Sequence, residues 1–411
     1  MVEKITFNRS LPIRRAPLAG AAAAVCGSLL LCQPPHVEAV GFRLPNQDPE
    51  AIARGNAFTA TADNPSAIYY NPAGITQLKG QSLSAGIYLI SASTEFTSST
   101  GAKAETDSSF QPVPQLYYVN SVENRPFSFG LGVYAPYGLA IDWGKDSPLK
   151  TIAQSGDLLY LTANPVVAWQ INPTLSIGAG PTINYSKAHF KRAIGLTPND
   201  QFKFEGDDTD FGFNAGLQWK PLEQWAFGLN YRSATTLDYE GESEAKPYAK
   251  PTDTHAAIKF PQSAAFGISF RPAEEWNLEF DIDWTDWNTL DKIVFQGNTG
   301  GPTPLTLDYR SSLMYEFGIT RKFCEKWFAS VGYIYSENSS PDKNFNPLIP
   351  DSDLHLVSAG FGRKGVRWDW AIGYTCAFNL DRKVTGSSSG LADGTYSTLN
   401  HAINISTTLK F

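Results

Sequence analysis

Residues 210–232 read DFGFNAGLQW, KPLEQ, WAFGLNYR, and their alternation decides the fold. Side chains on a strand change sides at every residue. In the first arm Phe211, Phe213, Ala215, Leu217 and Trp219 therefore share one face, and Gly212, Asn214, Gly216, Gln218 and Lys220 share the other. In the second arm Trp225, Phe227, Leu229 and Tyr231 stand opposite Ala226, Gly228, Asn230 and Arg232. KPLEQ turns the chain between them. This is a β-hairpin with one greasy face, and its other face carries small and polar groups instead of a second apolar layer. A strand pair facing lipid outward and a polar lumen inward has this pattern.

Working outward, similar segments recur from Gln81 to the C-terminus, about fourteen in all, an even number as such barrels require. Short connections at SVENR, Asn172-Pro173, KPLEQ, RPAEE, RKFCE and Lys364-Gly365 alternate with long loops rich in Gly, Ser, Asp and Pro. Short turns are expected at the periplasmic rim and long loops outside, which puts both ends of the barrel on the periplasmic side. Trp169, Trp219, Trp225, Trp276, Trp327 and Trp368 fall near the short turns, as an interfacial girdle would. Trp284 and Trp287 are expected in the outer girdle. The last strand, HAINISTTLKF, ends on Phe411, a terminal aromatic that reads as a barrel-assembly signal. The fold expected is an all-β transmembrane barrel of about fourteen antiparallel strands over 81–411.

Composition agrees. The chain has 411 residues, 13% aromatics and a formal net charge of -7. Beyond the start it contains no run of about eighteen apolar residues, so helical spans are excluded while β spans are not. The acidity, with no basic stripe, argues against nucleic acid as a partner. Lys4, Arg9, Arg14 and Arg15 precede an apolar stretch from Leu18 to Leu31 and the small residues ending at Ala39. That is the pattern of a cleaved export signal over 1–39. Cys26 and Cys32 lack the context of a lipidation site. Cys324 and Cys376 remain in the exported chain, too far apart by strand position for a disulfide, and are expected as free thiols. No spacing suggests a metal or a cofactor.

Residues 40–80 do not alternate. They mix Ala-rich stretches with Asn64-Pro65 and Asn71-Pro72, which favours short helices and breaks. A lumen about fourteen strands wide is too broad for side chains alone to fill, so this segment is expected to plug it.

Here the sequence resembles the FadL family of outer-membrane transporters for long-chain fatty acids and other hydrophobic compounds. The resemblance rests on Gly41 and Phe42, ARGNAF, DNPSAIYYNPAGI with Asn71, Pro72 and Ala73 as the family's NPA motif, SFGLGVYAPYGL, LSIGAGPTINY, FGLNYRSATT, PDSDLHLVSAGFG and Phe411. It implies a monomeric barrel with an N-terminal hatch, assembled by the barrel-assembly machinery among outer-membrane lipid and lipopolysaccharide. A hydrophobic small molecule would be captured at the extracellular loops and held in a pocket beside the hatch, formed with Gly41, Phe42, Asn71, Pro72 and Ala73. It would leave sideways where the third strand kinks. In this chain that strand spans Pro126 to Ala135, where Gly130 and Gly132 remove bulk and Pro136 ends the pairing.

Asn277, Glu279, Asp281 and Asp283 face the lumen by parity and need basic partners, for which Lys220 and Arg232 are candidates. A barrel enzyme, a protease or phospholipase built on Asp353 and His355, is a second reading, and no serine nucleophile context accompanies that pair. An open porin for polar solutes is a third. Which apolar cargo is carried is not legible in the sequence.

Overall fold

Among the described residues, alternation carries the chain through twenty-one strands of one continuous sheet. The computed structural model describes residues 41–411 apart from 109, 123 and 298–302. The export signal expected at 1–39 lies outside the described residues. In chain order the strands are β1 Gly80–Ser98, β2 Lys103–Glu105, β3 Gln111–Ser121, β4 Phe127–Tyr134, β5 Gly138–Asp142, β6 Ser155–Asn172 and β7 Leu175–Arg192. They continue as β8 Gln201–Leu222, β9 Trp225–Arg232, β10 Thr235–Lys246, β11 Ala249–Phe260, β12 Ser263–Phe270, β13 Trp276–Thr285 and β14 Lys292–Gly297. The last are β15 Thr303–Thr306, β16 Ser312–Phe323, β17 Trp327–Ser336, β18 Leu354–Arg363, β19 Trp368–Phe378, β20 Arg382–Val384 and β21 Gly394–Lys410.

Fourteen of these form the closed antiparallel wall: β1, β3, β4, β6, β7, β8, β9, β12, β13, β16, β17, β18, β19 and β21, each hydrogen-bonded to the next. β21 returns to β1 in unbroken register from Ser82↔Lys410 to Ser98↔Gly394, so no edge is left there. The seven other strands extend the wall at the long-loop rim. The chain from Trp225 to Lys246 breaks after Arg232, and that from Ala249 to Phe270 breaks at Pro261 and Gln262. The reason is a change of partner: β9 pairs with β12 within the wall, whereas above it β10 and β11 pair with each other, β10 also with β8 and β11 with β14.

The outward face is the greasy one. Phe211, Phe213, Leu217, Trp219, Leu229, Phe317 and Val357 are exposed, while Asn214, Gln218, Ser269, Glu279 and Asp281 are buried. The tryptophans of the short-turn girdle, Trp169, Trp219, Trp225, Trp276, Trp327 and Trp368, all lie on the exposed side. Trp287 does not belong to a girdle: it is fully buried, because the chain turns inward after β13 through a 3-10 turn, Trp287–Thr289. Cys324, in the turn before β17, and Cys376, on β19, are free.

Residues 41–79 fill the lumen. Asp48 caps a short helix, Pro49–Ala53, by accepting the Glu50 and Ala51 amides, with Pro49 at the first helical position where no donor is needed. Asn71 and Pro72 repeat the device at the 3-10 turn Pro72–Gln77, so this Asn-Pro starts an element and does not merely interrupt one. Between them lies the helix Ala67–Tyr70. The core of the plug is Phe58, Ile68, Tyr69, Tyr70 and Ile75, packed against Tyr117, Tyr134 and Val166 of the wall.

Candidate functional site

The plug is seated by backbone contact, and what permits this is a collar of glycines on the inner face of the wall. Gly178 pairs with Gly216, Gly228 with Gly267, Gly318 with Gly332 and Gly360 with Gly373 across adjacent strands. A Cβ at Gly332 would lie 1.9 Å from the Gly55 nitrogen, one at Gly228 2.1 Å from the Thr59 carbonyl oxygen and one at Gly216 2.2 Å from Asn71 Oδ1. The inward glycines are visible in the sequence as part of the wet face. Their arrangement at one level is not, because it depends on the register between strands.

At the level of the collar, where Asp281 pairs with Gly267 and Glu279 with Gly318, β13 supplies the polar anchors. Glu279 and Asp281 accept plug amides, and Glu279 also receives Arg54 Nη2 at 3.2 Å and the Thr61 hydroxyl. Asp283 holds Arg43 in a two-pronged pair at 2.7 and 2.8 Å, and Thr285 accepts from the same guanidinium at 2.7 Å. The basic partners expected from Lys220 and Arg232 thus come instead from the plug. Lys220 bonds to Gln77, and Arg232 lies over the rings of Tyr69 and Tyr134 and donates to the Tyr134 hydroxyl at 2.9 Å. The pattern of wall carboxylates was legible, but their partners lay in a segment with no periodicity to orient them.

Of the expected site residues, Asn71 donates to the carbonyls of Thr59 at 2.8 Å and Leu217 at 2.9 Å, joining plug to plug and plug to wall. Pro72 lies against Gly178 and Gly216, and Ala73 is fully buried. These three sit in the lower half of the plug, away from Gly41 and Phe42. Gly41 has a φ of +62° and lies so close to the Trp287 ring that a Cβ would meet it at 2.7 Å. Its amide donates to Asp351 Oδ1 at 3.2 Å. Burial pushes the Asp351 carboxyl above the usual range, and bonds from Ser339 and Gly41 hold it back. Phe42 meets Trp287, Phe260 and Tyr137 edge-on or tilted, with ring centroids 4.9, 5.5 and 6.0 Å apart.

Phe42 also forms the floor of an apolar pocket built from strands and loops of the long-loop end. Its walls come from Leu139, Leu158, Phe190, Phe204, Ile293, Phe295, Leu305, Leu348 and Ile349. The loop between β17 and β18 folds Leu348 and Ile349 inward, and β14 and β15 bring Phe295 and Leu305. At the opposite end, between the plug and the short turns, lies a cavity whose walls include Glu50, Arg54, Asp63, Arg271, Lys322 and Lys364. One end of the lumen is greasy and the other is charged.

Beside Phe42 the wall itself is interrupted. β3 and β4 pair from Leu116↔Val133 down to Ser121↔Ser128, but the β4 register does not continue along Pro112 to Gln115 of β3. The chain re-closes above through the Asp107 amide and the Asp142 carbonyl at 3.0 Å. Between these points the third span leaves the wall and pairs with the plug. The Leu44 amide donates to the Pro136 carbonyl at 2.8 Å, the Gly138 amide to the Phe42 carbonyl at 2.9 Å, and Gln47 Nε2 to the Ala135 carbonyl at 2.7 Å. Gly130 and Gly132 lie below this break, in the part of β4 that is paired on both sides, where each leaves room for Ile68 of the plug. The interruption begins at Ala135 and Pro136. Asp353 and His355 do not engage each other: Asp353 accepts the Asn338 amide, and His355 Nδ1 bonds to the Tyr333 hydroxyl.

A family model described as outer membrane protein transport protein (OMPP1/FadL/TodX) matches residues 30–402. A long-chain fatty acid transport protein of Escherichia coli is 23% identical over 398 residues, covering 85% of this chain and 86% of its own. The crystal structure of a Pseudomonas aeruginosa FadL homologue superposes with a TM-score of 0.80 at 17% identity, covering 90% of this chain and all (100%) of that one. The Pseudomonas putida toluene transporter TodX gives 0.73 at 19% identity, covering 91% of this chain and 100% of its own.

Proposed function

Because the chain belongs to the outer membrane protein transport protein family (OMPP1/FadL/TodX), we propose that it is a passive channel that takes a long-chain fatty acid or another hydrophobic molecule from outside the cell and releases it sideways into the outer membrane. The relatives are transport proteins and not enzymes. The observation that carries this reading is the position of Phe42: it is at once the floor of the apolar pocket and the residue whose carbonyl ties the kinked third span to the plug.

Three features support the route. An apolar solute gains about 25 cal/mol per Å² of apolar surface it buries, so the greasy pocket at the outer rim concentrates it. Straight passage onward meets the glycine collar, where backbone packs on backbone, and then the charged cavity beneath, which offers apolar cargo no such gain. The break between β3 and the third span is the remaining way out, and it faces lipid, so the cargo never returns to water. Asn46 and Gln47 stand behind that break. Displacing them is the step that release requires. We further propose that the protein works as a monomer with residues 40–80 as its hatch and Phe411 as its assembly signal.

The test is uptake of labelled oleate and of toluene by cells lacking their own hydrophobic-compound transporter, with the wild-type chain and with Phe42→Asp. The account expects uptake with the first and loss with the second, while the barrel remains heat-modifiable on gels. Equal uptake by both would contradict it.

A further inference from the structure

The break in the wall coincides with a run of unusual composition, Gln111-Pro112-Val113-Pro114-Gln115. On its other side this run is fully paired: the register with β1 continues through Leu89↔Pro112 and Ile87↔Pro114. Proline has no N–H, so within a ladder it occupies only positions whose nitrogen points away from the partner strand. In an antiparallel strand the N–H and C=O of one residue point to the same side, and successive residues alternate. Positions 112 and 114 therefore point away from β1 and toward the break. They have the parity of Leu116, where pairing with β4 begins.

We propose that Pro112 and Pro114 are positioning residues that keep the exit open by removing the two donors with which β3 would otherwise re-anneal to the third span. This rests on the lateral-exit reading above. Any other residue type at these positions would aim an N–H at hydrocarbon, where an unpaired donor is costly and a neighbouring strand is the nearest remedy. With proline that drive is absent, and the rim of the break offers only carbonyl acceptors. The third span is treated in a complementary way. Pro136 brings no donor, and the groups at Ala135, Pro136 and Gly138 are satisfied by Gln47, Leu44 and Phe42 of the plug. Both sides of the break are thus relieved of any need to meet. The same donor-free edge also resists pairing with a strand from another molecule.

The experiment compares the full chain with Pro112→Val/Pro114→Val in outer membranes, reading oleate uptake, oleate binding by the detergent-extracted protein, the midpoint of heat unfolding and amide exchange at 112 and 114. The proposal expects uptake to be lost, binding to be kept, the midpoint to rise and the two new amides to be protected. A merely structural role for the prolines would lower the midpoint. Wild-type uptake in the double variant overturns the proposal, as does loss of uptake with a lowered midpoint or with unprotected amides. Pro114→Val alone restores the donor next to the existing ladder and is judged by the same readouts if the double variant fails to assemble. Failure of both to assemble overturns the proposal. If the wild-type chain itself takes up no apolar probe, the transport reading falls with it; if the wild type and the double variant transport alike, only the role of the prolines falls.

Discussion

Asp281 and Glu279, two residues apart on β13, share four consecutive backbone amides of the plug. Asp281 Oδ2 accepts from Phe58 at 3.0 Å and Thr59 at 2.8 Å, and Glu279 Oε1 accepts from Ala60 at 2.8 Å and Thr61 at 3.1 Å. The segment 58–61 thus satisfies its donors from the wall and not from a helix or sheet of its own.

Asp281→Ala strands two buried amides at about 1–3 kcal/mol each. The expected outcome is a loosened plug in an intact barrel. Single-channel recording should show ion leak in the variant and a quiet trace in the wild type, with the heat-modifiable gel shift preserved in both. A quiet variant would mean that Glu279 and the collar hold the plug unaided.

Gly332→Ala inserts a methyl where the Gly55 nitrogen already lies 1.9 Å away, and backbone cannot swing aside as a side chain can. The plug should lose its seat, read as faster protease cleavage between residues 41 and 79. Ala359→Val, on the lipid face of the neighbouring β18, adds more bulk and should leave cleavage unchanged.

The barrel was legible in the sequence because its signal is local. The greasy face of Phe211 to Trp219, the short turn at KPLEQ and the buried parity of Asn277 to Asp283 all follow from a period of two. What was not legible depends on which strands meet. Trp287 reads as an outer-girdle residue from its place at the far end of a strand, yet the chain turns inward after Trp284 and buries it. Arg43 and Arg54 lie in a segment without periodicity, so nothing in the sequence pairs them with Asp283 and Glu279. Gly130 and Gly132 mark the third strand in the sequence, and its departure from the wall begins at Ala135 and Pro136, where the plug competes for its backbone groups.

A pH dependence follows from Asp48. Burial, and then the neighbouring Glu50, raise its carboxyl to about 7, although Asn64 and the Glu50 amide favour the charged form. An acid whose folded pKa is raised binds its proton more tightly in the native state, so stability falls as pH rises from the ordinary carboxylate range to about 7 and is level above it. Asp48→Asn keeps an oxygen to cap the helix and removes the charge. Exchange of the amides of Glu50 to Ala53 should be slower in the variant than in the wild type at pH 8 and alike at pH 4. A variant that exchanges faster at pH 8 would show that the carboxylate, and not just its oxygen, is needed there.

Asn71→Ala removes the bonds to Thr59 and Leu217 together, a loss of about 1 kcal/mol for each. Uptake of oleate should fall while extraction and gel behaviour of the barrel are unchanged; undiminished uptake would confine Asn71 to a passive role in the plug.

The most direct test of sideways release is a staple across the break. Val113 of β3 and Ala135 of the third span belong to one packed cluster. In a background with Cys324→Ser and Cys376→Ser, Val113→Cys and Ala135→Cys are oxidised or joined by a short bifunctional maleimide, and oleate binding and cellular uptake are measured before and after. The account predicts that the staple abolishes uptake, that binding at the Phe42 pocket persists, and that reduction of the disulfide restores uptake. Uptake continuing at the unstapled rate with the cross-link complete would contradict it.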